Sequence, residues 1–267
     1  MNQSRQPVCA RNRLAMPWAA MLVLALVFSV PARSAETGAE RPELVFAYWD
    51  NASPPFAIRE GDQLVGGIIY DIAQHLAARL GVRAVYKLLP PKRIERELIG
   101  GGVDLDCVSS PIWKESPDAY PWSPVLFTGA DRFLVMKNAG IAINSLGALK
   151  GLRVGVYGDY VYHADITSML DSGVAHRVIV NDLAHGVRLL MAGRIDTLID
   201  FGVLLNYEIK QHSQGDRLML ARFPADQFDL MCAYSVKMKV PKEHVDAQLK
   251  SMVKDKIIDQ VLAKYRR

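Results

Sequence analysis

Apolar residues in this chain recur with two alternating periods, and each change of period marks an element. The run "ELVFAYWD" (Glu43 to Asp50) is short and apolar and predicts a strand, and "PPFAI" a turn followed by a second extended piece. In "IIYDIAQHLAARLGV", Ile68, Ile69, Ile72, Leu76 and Leu80 return at helical spacing until Gly81 stops them. "VRAVYKLL" predicts a strand, "PKRIERELIGG" a helix entered through prolines and left through glycines, and "VDLDCVSS" another strand. The same order restarts at Leu152: strand "GLRVGVY", helix "DYVYHADITSMLDSG", strand "HRVIVN", helix "LAHGVRLLMAG", strand "RIDTLID". Alternating β and α units imply parallel sheet covered by helices. The last stretch sets Val245, Leu249, Met252, Val253, Ile257, Val261 and Leu262 at helical spacing, so it packs back on a sheet already built.

One apolar run does not belong to this alternation. Arg5, Arg11 and Arg13 precede "WAAMLVLALVFSV" (Trp18 to Val30), which ends at Pro31 and small residues, the pattern of a cleavable secretory signal over residues 1–35. The run is shorter than the roughly 18 apolar residues of a spanning helix. Cys9 lies before it and so is not a lipidated cysteine. The predicted location is the periplasm. Removing the leader also removes four of the 32 basic residues and no acid, leaving 28 against 28 acidic residues. A neutral mature chain argues against nucleic acid or an anionic membrane as partner. Two cysteines remain, Cys107 and Cys232; their spacing is no metal motif, and they read as two buried thiols, each filling a strand.

Taken in order, "SPPFAI", "GGIIYDIAQHLAARLGV", "IGGGVDLDCVSSPI", "YPWSPVLF", "LKGLRVGVYGD" and "AGRIDTLID" resemble the landmarks of periplasmic solute-binding proteins of the amino-acid ABC-transporter type, bacterial extracellular solute-binding protein family 3. The resemblance covers the chain from about Leu44 to its end. It implies an α/β, two-lobed, type II periplasmic binding protein-like fold, each lobe a mixed sheet flanked by helices. Lobe one would take residues 36–134 and 230–267, lobe two residues 135–229, with hinge crossings at "RFLVMK" and "LMCAYSV". The topology also sets the Cys107 strand beside the Cys232 strand, which keeps a disulfide open as the alternative to free thiols.

The resemblance further implies a small-molecule ligand between the lobes, an ABC permease or membrane sensor as partner, a monomer, and no cofactor or metal. In amino-acid binders of this type an arginine before the crossover grips the ligand carboxylate. Here Ser116 holds that place, and the nearest basic residue is Lys114, so α-amino-acid binding does not follow. Arg93, at the start of its predicted helix, is the candidate replacement, since helix N-termini favour anions. Asp200 matches the acid that meets a ligand amino group. Asp159, after Gly158, either caps the helix predicted there or contacts ligand. Phe56 and Trp113 are candidate pocket walls, and Ser109 and Ser110 candidate hydrogen-bonding groups after the cleft strand. A zwitterion with an unusual grip would suit both the acids and Arg93 with Lys114. Asp71 and Trp122 read as structural, and His163 as a residue inside a helix. An enzyme on the same scaffold, such as a cyclohexadienyl-type dehydratase, is the alternative. Nucleophile-elbow, metal-ligand and phosphate-loop motifs are all missing from the sequence.

Overall fold

The computed structural model describes residues 41–158 and 160–266; the predicted leader, Cys9 and Asp159 lie outside them. Four parallel or returning strands make the first half of the architecture. β1 (Glu43–Trp49) lies between β4 (Arg83–Leu89) and β5 (Leu105–Ser109), parallel to both, and its near-continuous apolar run matches a strand covered on two faces. The piece after "PPFAI" is a small hairpin, β2 (Ile58–Glu60) with β3 (Gln63–Gly66), one strand more than the pattern predicts. α1 (Ile68–Leu80) buries Ile68, Ile69, Ile72 and Leu76, and ends at Gly81 in the left-handed conformation. α2 (Pro91–Gly100) follows Pro90 and ends at Gly101, as predicted.

β6 (Phe127–Met136) carries the chain into the second half, where β7 (Arg153–Val156) pairs in parallel with β8 (His176–Ile179) and β9 (Thr197–Phe201). β10 (Leu218–Tyr234) is 17 residues long, antiparallel to β6 for most of its length and to β5 at its end. It joins the halves into one sheet of order β4-β1-β5-β10-β6-β9-β7-β8.

Two helix readings change in this half. α3 (Ala164–Asp171) begins late: Tyr160 to Tyr162 are irregular, and His163 sits at the N-cap, its Nδ1 accepting from the Asp165 N–H at 3.3 Å, rather than inside the helix. The turn after Gly158 therefore does not open directly into a helix. α4 (Leu183–Met191) forms as predicted behind an Asp182 cap. α5 (Gly202–Gln211) follows β9 without an intervening turn.

α6 (Lys242–Lys254) and α7 (Ile257–Arg266) return to the first half and bury Val245, Leu249, Met252, Val261 and Leu262 in one cluster with α1. Asp71 is tied into this packing, accepting from Lys264 Nζ at 2.7 Å and from the Tyr265 hydroxyl at 2.9 Å, which fits its structural reading. Cys107 and Cys232 are directly opposed on β5 and β10 and are bonded, so the reading of two free buried thiols is corrected. Their burial is as expected for small hydrophobes; pairing was decided by the register of two strands 125 residues apart. Among the described residues no helix is long and apolar enough to cross a membrane.

Candidate functional site

Strand ends of both halves converge beside β6. Along β6, Asp131 is opposite Phe201 of β9 on one side and Asp226 of β10 on the other, while Arg132 is opposite Asp200. Alternation therefore sends Asp131 and Arg132 to different faces. The Arg132 guanidinium donates to the carbonyls of Ala221 and Arg222, so it does not neutralise Asp131.

The two carboxylates are held by tyrosines instead. Asp131, 2% exposed, accepts from the Tyr160 hydroxyl at both oxygens, 2.9 and 3.0 Å. Asp200, 5% exposed, accepts from the Tyr157 hydroxyl at 2.6 Å and from the Phe201 N–H at 2.7 Å. The Tyr162 hydroxyl fixes the same loop by accepting from the Tyr157 N–H at 2.8 Å. Burial pushes the Asp131 carboxyl up to about 7; the Tyr160 bond opposes the shift, and the charges of Asp200 and Asp226 add to it. Asp200 is pushed up to about 6 by burial, against its Tyr157 and Phe201 hydrogen bonds. Burial first, and then the neighbouring acids, raise all three tyrosines, so their hydroxyls remain proton donors.

An aromatic row runs alongside. Phe56 stacks face to face on Phe201 at 5.3 Å, Phe201 meets Phe228 at 5.4 Å, and Trp113 stands edge-on to Phe228 at 5.0 Å. Two glycines make room for it. Gly67 has φ +104°, and a Cβ there would come within 2.5 Å of the Phe56 carbonyl oxygen; one at Gly129 would come within 2.5 Å of the Phe201 ring. One end of the row, Trp113 and Phe228, joins Tyr160, Tyr162, Asp131 and Asp226 in the walls of a cavity of about 80 Å³. Exposed Ile112 and Val161 form its rim.

The predicted site residues fall into two groups. Trp113 lines the cavity, Phe56 stacks on Phe201, and Asp200 lies buried behind, so these three are brought together. Ser109 and Ser110 are buried at the end of β5, next to the turn that carries Trp113, but do not line the cavity. Val108, just before them, has φ +60°, a strained conformation for a β-branched residue that redirects the strand end. Arg93 is not brought to the cavity: its side chain is half exposed on α2, 3.5 Å from Glu97. Lys114 is committed to Asp106 at 2.7 Å, the acid buried and the lysine largely so, and Ser116 is tied through its N–H to Glu95. Neither Arg93 nor Lys114 therefore lines this cavity. Asp131, Tyr157, Tyr160, Tyr162, Asp226 and Phe228 were not anticipated. The one available signal was an acid, followed by Arg132, in the middle of the long β6. Among the described residues no group of three His, Cys, Asp or Glu side chains is placed to hold a metal ion.

The sequence profile of the bacterial extracellular solute-binding proteins, family 3, matches residues 46–267. The chain belongs to that family. A search of curated protein sequences returned no match. Among solved structures, this family 3 protein is similar to an ancestral arginine-binding protein bound to arginine (19% identity, TM-score 0.63, 85% of this chain and 99% of that one). It is also similar to substrate binding domain 2 of Lactococcus lactis GlnP in the open conformation (16% identity, TM-score 0.67, 85% and 96%). A third similar structure is the ancestral amino acid-binding protein AncCDT-1, a precursor of cyclohexadienyl dehydratase (20% identity, TM-score 0.63, 84% and 96%). These likenesses establish the two-lobed α/β fold expected from the sequence.

Proposed function

We propose that this family 3 protein binds a small polar solute, amino-acid-like or related, by closing two lobes over it, and hands it to an ABC importer or a membrane sensor. Lobe one is residues 36–134 with 230–267, lobe two is residues 135–229, and β6 and β10 supply the hinge. The chain acts in the periplasm as a monomer after loss of residues 1–35. The observation that carries the reading is the contact between Phe56 and Phe201, one from each half, directly beside the buried Asp200. A site completed only when two lobes meet binds by hinge closure. Phe56 and Trp113 serve as walls, Asp200 and the Ser109–Ser110 turn as polar contacts.

The test is a thermal-shift screen of the mature protein against amino acids, amines, organic acids and sugars, with calorimetry on each hit. A ligand held by the closed form raises the melting temperature by mass action. No shift from any solute class, with no binding in calorimetry, would defeat the reading. The enzyme reading has one observation in its favour: Asp131, pushed up to about 7, keeps a proton near neutrality beside a cavity, as a general acid must. Product formation from a bound ligand, followed by NMR and lost in Asp131→Asn, would decide for it.

A further inference from the structure

Asp131 lies in a wall of the cavity, almost fully buried, and its two oxygens share a single side-chain donor, the Tyr160 hydroxyl. An ionised carboxylate has roughly four acceptor sites, so most of its capacity is unused. Asp226 shares the cavity, the charge of Asp200 also acts on Asp131, and among the described residues no basic side chain lines the space. The basic groups nearby are engaged elsewhere, Arg132 with backbone carbonyls on the other face of β6 and Lys114 with Asp106. The acids are not placed to ligate a metal ion, as noted. The remaining walls, Trp113, Phe228 and Tyr160, are aromatic, and aromatic faces attract organic cations.

We infer that the cavity is a headgroup site for an organic cation that carries an amine or guanidine and needs no carboxylate. The inference rests on the binding reading above and narrows its ligand class. A buried water needs roughly 10–15 Å³ of such space, so about 80 Å³ accommodates a cationic headgroup of a few heavy atoms. The exposed apolar rim, Ile112 and Val161, suits a methylene chain leaving the headgroup for solvent. Among the described residues no arginine lines this cavity, so the site itself makes no demand for a ligand carboxylate. The groups nearest Asp131 are Asp226, opposite it on β10, and the Tyr160 hydroxyl from the loop after β7, with the charge of Asp200 acting from the position on β9 that pairs with Arg132; no basic side chain among the described residues lines the cavity, so a bound cation would be the positive partner of Asp131 there. A cation entering drives Asp131 to its charged form and releases a proton, so affinity rises with pH.

The experiment is calorimetry of the mature protein with matched pairs: agmatine against arginine and putrescine against ornithine, each pair differing by one carboxylate. Choline, glutamate, succinate and glucose complete the panel. The expected result is that agmatine or putrescine binds at least as tightly as its amino-acid counterpart and that its affinity falls about tenfold or more from pH 8 to pH 5. Asp131→Asn should lose tenfold or more, and Trp113→Ala, at the half-exposed edge, about fivefold. Arginine or ornithine binding tenfold tighter than its decarboxylated partner overturns the inference, as does a ligand found only among the acids or the sugar; in both cases solute binding itself stands. Silence across the panel overturns both.

Discussion

Replacing Asp131 by Asn should stabilise the unliganded protein, and by an amount that grows with pH. Burial, reinforced by Asp200 and Asp226, lifts its carboxyl from 3.8 to about 7. At 1.36 kcal/mol per pKa unit, about three units set a ceiling of about 4 kcal/mol. The sign follows from the direction of the shift. Because the folded protein holds this proton more tightly, its contribution is fully present below about pH 4 and is lost as pH rises through about 7. Asn keeps a neutral oxygen for the Tyr160 hydroxyl and has no charge to bury. At pH 4.5 the two proteins should therefore differ little. At pH 8 the Asn variant should lead by about 2–4 kcal/mol, or roughly 5–15 °C for a chain of this size. Scanning calorimetry of ligand-free protein at both pH values measures the gap. An equal gap at the two values, or a variant less stable at pH 8, would refute the view that Asp131 is buried without a compensating charge.

The bridge between Cys107 and Cys232 closes a loop across 125 residues, so replacing both by Ser should cost about 2–5 kcal/mol, read as a lower urea midpoint. Lys114→Met leaves Asp106 buried without its cation, with one oxygen already lacking any partner, and should cost about 3–5 kcal/mol, again visible in urea unfolding. Gly67→Ala forces a methyl against the Phe56 carbonyl at a positive φ; a loss of about 1–3 kcal/mol together with weakened ligand binding in calorimetry is expected. Unchanged stability in either of the last two variants would show that the neighbouring backbone yields more easily than the packing implies.

The limits of sequence reading are visible at particular elements. The period of α1 and its Gly81 stop were plain, because six buried positions repeat on one face. The β2–β3 hairpin was half seen, since its short strands expose most of their residues and carry no alternation to detect. α5 follows β9 with no turn residue or side-chain cap to announce it. The segment Tyr160 to Tyr162 was absorbed into a helix because its apolar residues continue the spacing of α3; its irregular path is held by hydrogen bonds to Asp131 and to the Tyr157 N–H. Asp200 is singled out by a family pattern, whereas Asp131, on the neighbouring strand, matches none.

Local order was written in the chain itself: alternating periods, proline entries and glycine exits follow from backbone sterics and from which face of an element must be buried. These sufficed for alternating β/α units in two successive sets; the two-lobed class came from the resemblance of the ordered landmarks to family 3 and is the fold of the similar solved structures. What tertiary structure alone decided were the long-range pairings. Cys107 met Cys232, Lys114 was taken by Asp106, and Asp131 was closed in with Tyr160 and Asp226, away from any free cation among the described residues. The charge state and availability of a side chain depend on which groups surround it, and those neighbours come from distant parts of the chain that only the folded sheet brings together.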